Sequence, residues 1–254
     1  MKTDKHNMQQ DLQQKTLQQK TLGIIGGMSW ESTESYYRLI NQGIKAELGH
    51  LHSADLLIHS VDFAPISELQ AQGAWEEMGA IMASSGKRLQ DAGAQGLLIA
   101  TNTMHKVADS VTAATGLPLI HIADATATAI QAQGLTQIGL LGTQFTMTED
   151  FYKQRLIDAG LKVVIPRDEA RAEVHRIIYD ELCQGQLLDR SRDYYRKVIE
   201  QLATQGCEGV ILGCTEIGLL IKQADSPIPV FDTTAIHAAA AVEFLLSADI
   251  VDPL

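Results

Sequence analysis

The chain has 254 residues, 45% apolar and 20% charged, a balance that excludes collagen-like, coiled-coil and disordered classes and fits one large or two small globular domains. The 31 acidic against 20 basic residues give a net charge of −11, the wrong sign for a nucleic-acid or anionic-membrane surface. The 3 cysteines, an odd number, and the lack of a leader-like stretch point to a cytoplasmic protein with reduced thiols.

Residues 1–21 are nearly all polar and write Gln-Gln-Lys-Thr-Leu twice in tandem from Gln13 to Leu22, so they are expected to be a disordered extension. Short aliphatic runs then alternate with longer segments of helical period. Leu22–Ile25, Leu56–Ile58, Leu97–Ile99 and Leu117–Ile120 read as strands of the first part of the chain. Ile138–Leu141, Lys162–Ile165, Val210–Leu212 and Ile228–Phe231 read as strands of the second, with helices over 147–159, 169–184 and 190–204. All these runs are far shorter than a membrane span. Buried strands alternating with helices predict an α/β architecture with parallel sheets.

An internal repeat sharpens this. Gly23-Ile24-Ile25-Gly26-Gly27 resembles Gly139-Leu140-Leu141-Gly142-Thr143, and Gln95 to Thr101 resembles Glu208 to Cys214 at nearly the same offset. Leu117-Pro118-Leu119-Ile120 and Ile228-Pro229-Val230-Phe231 form a third pair in the same order. The expectation is two similar doubly wound parallel-sheet domains, 22–116 (completed by a C-terminal helix over 234–248) and 117–233. Ligands in such sheets bind beyond the carboxyl ends of the strands, so the site should lie in the cleft between the halves, with Thr101 and Cys214 at equivalent positions.

Gly213-Cys214-Thr215-Glu216 leaves a buried strand ahead of Ile217–Ile221, where a helix N-terminus would lower the thiol pKa. Cys183 and Cys207 read as structural, and Cys207 with Cys214 has no companion histidine for a zinc pattern; no metal site is expected. Thr101-Asn102-Thr103-Met104-His105 offers hydroxyls and a carboxamide, with His105 a supporting or packing residue. Gly26-Gly27-Met28-Ser29 and Gly142-Thr143-Gln144-Phe145-Thr146 open the crossover helices of the two halves, with Thr146 and Glu149 as a capping box. Their free N–H groups suit an anion, and neither is a dinucleotide or Walker loop.

The set Gly26-Gly27-Met28-Ser29, Thr101-Asn102-Thr103-Met104-His105 and Gly213-Cys214-Thr215-Glu216, over roughly residues 22–247, resembles the cofactor-independent aspartate/glutamate racemase family. The resemblance implies two doubly wound domains, a dimer, no cofactor, and two thiols flanking the substrate α-carbon. Cys214 matches the second-half thiol, whereas Thr101 stands where the wider family has the first. The pair matches a branch acting on L-aspartate and L-glutamate, with Cys214 as base toward the L enantiomer and Thr101 as donor on the opposite face. A threonine hydroxyl is not itself a base unless another group activates it.

Asn102, Thr103 and Thr215 are expected to hold the α-carboxylate or the charge developing on it. Met28, Ser29, Thr143 and Thr146 should line the mouth, and Gln70 should meet the substrate side chain. Glu216 either binds the ammonium group or caps the helix. Lys106, Arg171 and His175 are candidates for the distal carboxylate. Two other readings stand beside this one: an amino-acid-binding or inactivated relative, which Thr101 favours, and a hydantoin- or malonate-type enzyme of the same superfamily.

Overall fold

The structure, a computed structural model, describes residues 19–247. Most of the expected disordered extension lies outside the described residues, but Gln19, Lys20 and Thr21 are tied down. Gln19 Nε2 donates to the Ser53 carbonyl at 2.9 Å, the Lys20 N–H to the Leu245 carbonyl at 3.0 Å, and Thr21 Oγ1 to Asp55 Oδ2 at 2.9 Å.

The chain begins with β1 (Leu22–Gly26), α1 (Trp30–Leu48), β2 (Leu56–Ser60), α2 (Phe63–Gln72), α3 (Trp75–Asp91), β3 (Gly96–Ile99), α4 (Ala108–Thr115) and β4 (Leu119–Ile120). It continues with α5 (Ile122–Gln131), β5 (Gln137–Gly142), α6 (Gln144–Thr148), α7 (Asp150–Asp158), β6 (Lys162–Val164) and α8 (Asp168–Asp180). The last elements are α9 (Asp189–Thr204), β7 (Gly209–Gly213), α10 (Ile217–Leu220), β8 (Val230–Asp232) and α11 (Thr233–Leu246). Every expected strand is present. Two expected helices are interrupted: 147–159 breaks at the extended residue Glu149, and 169–184 ends at Asp180 before a 3₁₀ turn, Leu182–Gln184. The expected capping box is not formed, because Thr143, leaving β5, already accepts the Thr146 N–H at 3.3 Å and starts α6 three residues early. No helix among the described residues is long and apolar enough to cross a membrane.

The two four-stranded sheets have the same order, β2-β1-β3-β4 and β6-β5-β7-β8, with every pairing parallel. Their central strands β1, β3 and β7 are buried along their whole length, as parallel strands covered by helices on both faces must be. One expectation shifts here. The segment assigned to the start of the second domain holds β4, which pairs with β3 (Leu97 opposite Leu119, Leu98 opposite Ile120), so the first sheet runs through Ile120 and not only to residue 116. The edge of β3 needs that partner for its backbone groups, and the Leu97 N–H donates to the Pro118 carbonyl at 2.9 Å.

The helix that follows each sheet's last strand crosses to the other half. From α5, Ile122, Ala123, Ala127 and Ile130 join the core of the second half, with Leu140, Ile178 and Ile211. From α11, Ala238, Ala241, Val242 and Leu245 join the first-half layer of Leu22, Ile24, Tyr36, Ile40 and Leu98. This reciprocal exchange locks the halves together. It also turns the carboxyl ends of β1 and β3 toward those of β5 and β7.

Candidate active site

Beyond β3 the chain passes Ala100 to Thr101 and Asn102; beyond β7 it passes Gly213 to Cys214. Close approach of these strand ends depends on glycine: a Cβ on Gly213 would stand 2.7 Å from the Leu141 carbonyl oxygen. At the end of β1, Gly27 has φ +93°, and a Cβ there would meet the Val61 carbonyl oxygen at 2.2 Å. These constraints hold the site's backbone before any ligand is considered.

A narrow cavity of about 20 Å³, room for one water molecule, lies between the halves. Met28, Gln70, Thr101, Asn102, Thr103, Thr143, Cys214 and Glu216 line it, as the sequence led us to expect. Phe63, Ile178, Tyr179 and Cys183 line it too, and sequence reasoning missed them. Cys183, read above as structural, sits in this wall because the break after Asp180 turns the 3₁₀ segment inward. Cys207 is in the core of the second half. Ser29, Thr146 and Thr215 stand behind the wall, hydrogen-bonded to Glu216 or Thr143 within it.

Glu216 is the hub. Its Oε1 accepts from Ser29 Oγ at 2.6 Å, and its Oε2 accepts from Thr215 Oγ1 at 2.7 Å and from the Cys214 thiol at 3.0 Å. Ser29 also caps α1, accepting the Ser32 N–H at 3.2 Å, so one carboxylate joins the first helix of one half to the thiol of the other. It neither caps α10 through its side chain nor faces solvent. The expectation of a lowered thiol pKa is reversed: burial first, then the neighbouring Glu216 carboxylate, push Cys214 well above its ordinary value. The helix that was to stabilise a thiolate is only the four-residue α10, too short to outweigh them.

Two more hydrogen-bonded chains cross the cleft. Asn102 Nδ2 donates to Thr233 Oγ1 at 3.1 Å, which donates to the Leu212 carbonyl at 2.8 Å. Because that hydroxyl proton is committed to a carbonyl, the amide must present its NH₂ to Thr233, and the buried Oδ1 of Asn102 is left without a partner. Thr103 Oγ1 lies 3.2 Å from Thr143 Oγ1, itself 3.2 Å from Thr146 Oγ1. Three hydroxyls joined by two bonds keep one proton to donate elsewhere. The free N–H groups expected at the crossover turns are partly used: the Gly27 N–H donates to Thr33 Oγ1 at 2.8 Å and the Thr146 N–H to Thr143.

Gln70 joins the halves as well. Its Oε1 accepts from Tyr179 Oη at 3.2 Å, and its Nε2 has the thioether of Met104, a weak acceptor, at 3.3 Å. No cationic side chain among the described residues lines the cavity. Lys106 pairs with Glu149 and lies 3.7 Å from the Trp75 ring centroid. Arg171 pairs with Asp168 at 2.8 Å, and His175 Nδ1 accepts the Gln144 N–H at 3.2 Å. All three distal-carboxylate candidates thus have other partners.

Two like α/β halves, closing on a small polar cavity with a hydroxyl from one and a thiol from the other, define a class of two-domain enzymes whose active site is the interdomain cleft. Residues 25–241 match the Asp/Glu/hydantoin racemase family, and the chain belongs to that family of isomerases. It is similar to a crystal structure of an Asp/Glu racemase candidate from Yersinia pestis, with 54% identity, a TM-score of 0.84 and coverage of 90% of this chain and 100% of that one. An aspartate racemase homologue from Pyrococcus horikoshii OT3 shares 38% identity, with a TM-score of 0.77 and coverage of 90% and 100%. The broad specificity amino-acid racemase RacX of Bacillus subtilis (strain 168) is 21% identical over 229 residues, 89% of this chain and 98% of that protein.

Proposed function

We propose that the protein interconverts the L and D forms of aspartate or glutamate without a cofactor, with Cys214 acting on one face of the α-carbon and Thr101 on the other. The observation that carries this reading is the meeting of these two residues, from equivalent strand ends of the two halves, at one buried cavity. Removing a weakly acidic α-proton on one face and returning one on the other needs groups on opposite sides, which a two-half cleft supplies.

The thiol rests protonated, so abstraction from the L enantiomer first requires that its proton pass to Glu216 Oε2, its hydrogen-bond acceptor. The substrate ammonium, accepted by Asn102 Oδ1 and drawn to the Glu216 carboxylate, offsets the negative charge that the pair then carries. The thiolate takes the α-proton, and charge spreads onto the α-carboxylate. The one hydroxyl proton left free in the Thr103–Thr143–Thr146 chain is donated to that carboxylate, which stabilises the developing charge more than the ground state. A proton arrives on the opposite face from the Thr101 hydroxyl or a water it holds. The proton gained on the Cys214 side and the one lost on the Thr101 side re-equilibrate through solvent when the cavity opens. Opening is obligatory, since an amino acid does not fit in about 20 Å³. The Gln70–Tyr179 bond and the edge-on Trp75–Phe145 contact, at 5.4 Å between centroids, must part.

Gln70 Nε2, held only by a thioether, is the donor for the side-chain end of the substrate. The same reading includes a homodimer, as the sequence resemblance implies, and a cytoplasmic location, in keeping with an odd number of free cysteines. A second reading, an amino-acid-binding relative without turnover, is favoured by the hydroxyl at Thr101 and the raised thiol. Incubation with individual L- and D-amino acids in deuterium oxide decides between them. Loss of the α-proton signal from aspartate or glutamate supports the racemase, whereas binding with no exchange for any amino acid supports the second reading.

A further inference from the structure

Behind Thr101 lie three buried histidines, His105, His121 and His237, with ring centroids 4.5 Å apart for His105–His121 and 5.6 Å for His105–His237. Their partners fix every tautomer. Nε2 of His105 accepts the Ile122 N–H at 3.2 Å; a backbone N–H only donates, so the ring proton is on Nδ1, which donates to the Thr101 carbonyl at 2.8 Å. Nδ1 of His121 accepts the Ala123 N–H at 3.2 Å. Nε2 of His237 donates to the Ile120 carbonyl at 2.8 Å, leaving Nδ1 to accept from Tyr36 Oη at 2.8 Å. None of these rings lines the cavity, so they do not touch substrate.

We propose that His105 is a positioning residue that holds Thr101 at its working place in the cleft; this rests on the reading of Thr101 as the proton donor given above. His105 is clamped at both ends of its ring. One end grips the peptide of Thr101, which leaves β3 and belongs to the first half. The other grips the first turn of α5, whose body is packed in the core of the second half. The ring therefore sets the first-half donor relative to the half that carries Cys214. A reacting group must be held to a fraction of an ångström, and a residue on a connecting segment achieves that only with such support.

The test uses two variants of opposite geometry and similar polarity. In His105→Asn the side-chain amide falls where Nδ1 was and still donates to the Thr101 carbonyl. In His105→Gln it falls where Nε2 was and leaves that carbonyl unpaired. One measures the α-deuterium isotope effect on kcat/KM starting from D and from L substrate. Displacing Thr101 makes transfer on its face the slower step, so the ratio of the effect from D substrate to that from L substrate should rise about twofold or more in His105→Gln, which loses the bond to the Thr101 carbonyl, and less in His105→Asn, which keeps that end of the clamp and loses the α5 end. A merely structural role lowers the active fraction and leaves this ratio unmoved. An unchanged ratio in both folded variants overturns the positioning role while leaving the racemase standing. A parent that neither exchanges nor inverts substrate ends the racemase reading and this inference with it.

Discussion

Glu216→Gln separates stability from catalysis at the hub of the site. The native carboxylate accepts three buried donors, Ser29 Oγ, Thr215 Oγ1 and the Cys214 thiol. The carboxamide keeps one accepting oxygen, which replaces Oε2 and retains Thr215 and Cys214, and turns its NH₂ toward the Ser29 oxygen. Three charge-assisted bonds become neutral ones, a loss of about 1 kcal/mol each. Against this, a buried charge is removed, which relieves a desolvation cost of several kcal/mol. The two effects nearly cancel, so stability should change by no more than about 2 kcal/mol, or roughly 4–8 °C in Tm for a chain of this size. Activity should not survive, because the thiol has lost the group that takes its proton; a fall in kcat/KM of about 10²-fold or more is expected. Removing the neighbouring negative charge also lowers the thiol pKa, so residual activity should climb with pH more steeply than in the parent. Thermal melts and racemisation rates from pH 6 to 10 measure both. Retention of more than about a tenth of parental activity at neutral pH would refute the Cys214–Glu216 proton transfer.

Cys214→Ser should abolish turnover in a folded protein, since the hydroxyl has nearly the shape of the thiol and no accessible anion, while Cys207→Ser, altered in the core of the second half, should keep near-normal activity per folded molecule. Inactivity of a folded Cys207→Ser protein would show that the wrong cysteine is assigned. Thr101→Cys should speed exchange of the α-hydrogen of D substrate, because a thiol replaces a hydroxyl on that face; equal or slower exchange in a folded variant counts against Thr101 as the opposing group. The histidine cluster predicts an acid limit to stability. Burial lowers His105 to about 4 and His237 to about 3, and lowers His121 in the same sense. These rings stay neutral in the fold and take protons in the unfolded chain below about pH 6.5. Their stabilisation is complete above that pH and is lost as pH falls toward 3–4, by about 1 kcal/mol per pH unit per histidine. Urea midpoints at pH 7, 6 and 5 check this, above the range where Glu173 and Asp225, both held low, titrate. Equal midpoints at pH 7 and 5 would contradict it.

The duplicated sheets were legible because fully buried parallel strands are short aliphatic runs, and the repeat of Gly-Leu-Leu-type strands set the two halves in register. The strand of Leu117–Ile120 was read with the first half, yet the domain boundary drawn at residue 117 cut it off, because a two-residue strand carries no period and only its pairing with β3 fixes where the first sheet ends. Thr101, Cys214 and the polar residues flanking them were readable from their place after strands. Thr233, Tyr179 and Cys183 were not, since each reaches the site through a helix start or an interrupted helix rather than a strand end. Thr233 did leave a signal: it follows Asp232, which caps α11 by accepting the Thr234 N–H at 2.9 Å, so its backbone lay at a helix start beside β7. The thiol pKa was misjudged because proximity in sequence to Ile217–Ile221 suggested a longer helix than the one that forms. Glu216, two residues from the thiol, decides its protonation, and only the fold shows which way that side chain turns.

The central claim is that a residue from each half works on one face of the α-carbon, and full progress curves from pure L and pure D substrate test it most directly. Enantiomers have equal free energy in an achiral solvent, and kcat/KM depends on the transition state relative to free enzyme and free substrate. Whatever asymmetry Thr101 and Cys214 create can therefore enter only kcat and KM separately. Chiral chromatography should find both curves converging on a racemate, with equal kcat/KM in the two directions and a solvent-derived hydrogen at the α-carbon of the product. A stable plateau beyond half D product, with no coupled reaction removing L substrate, or conversion that retains the original α-hydrogen throughout, would contradict the account.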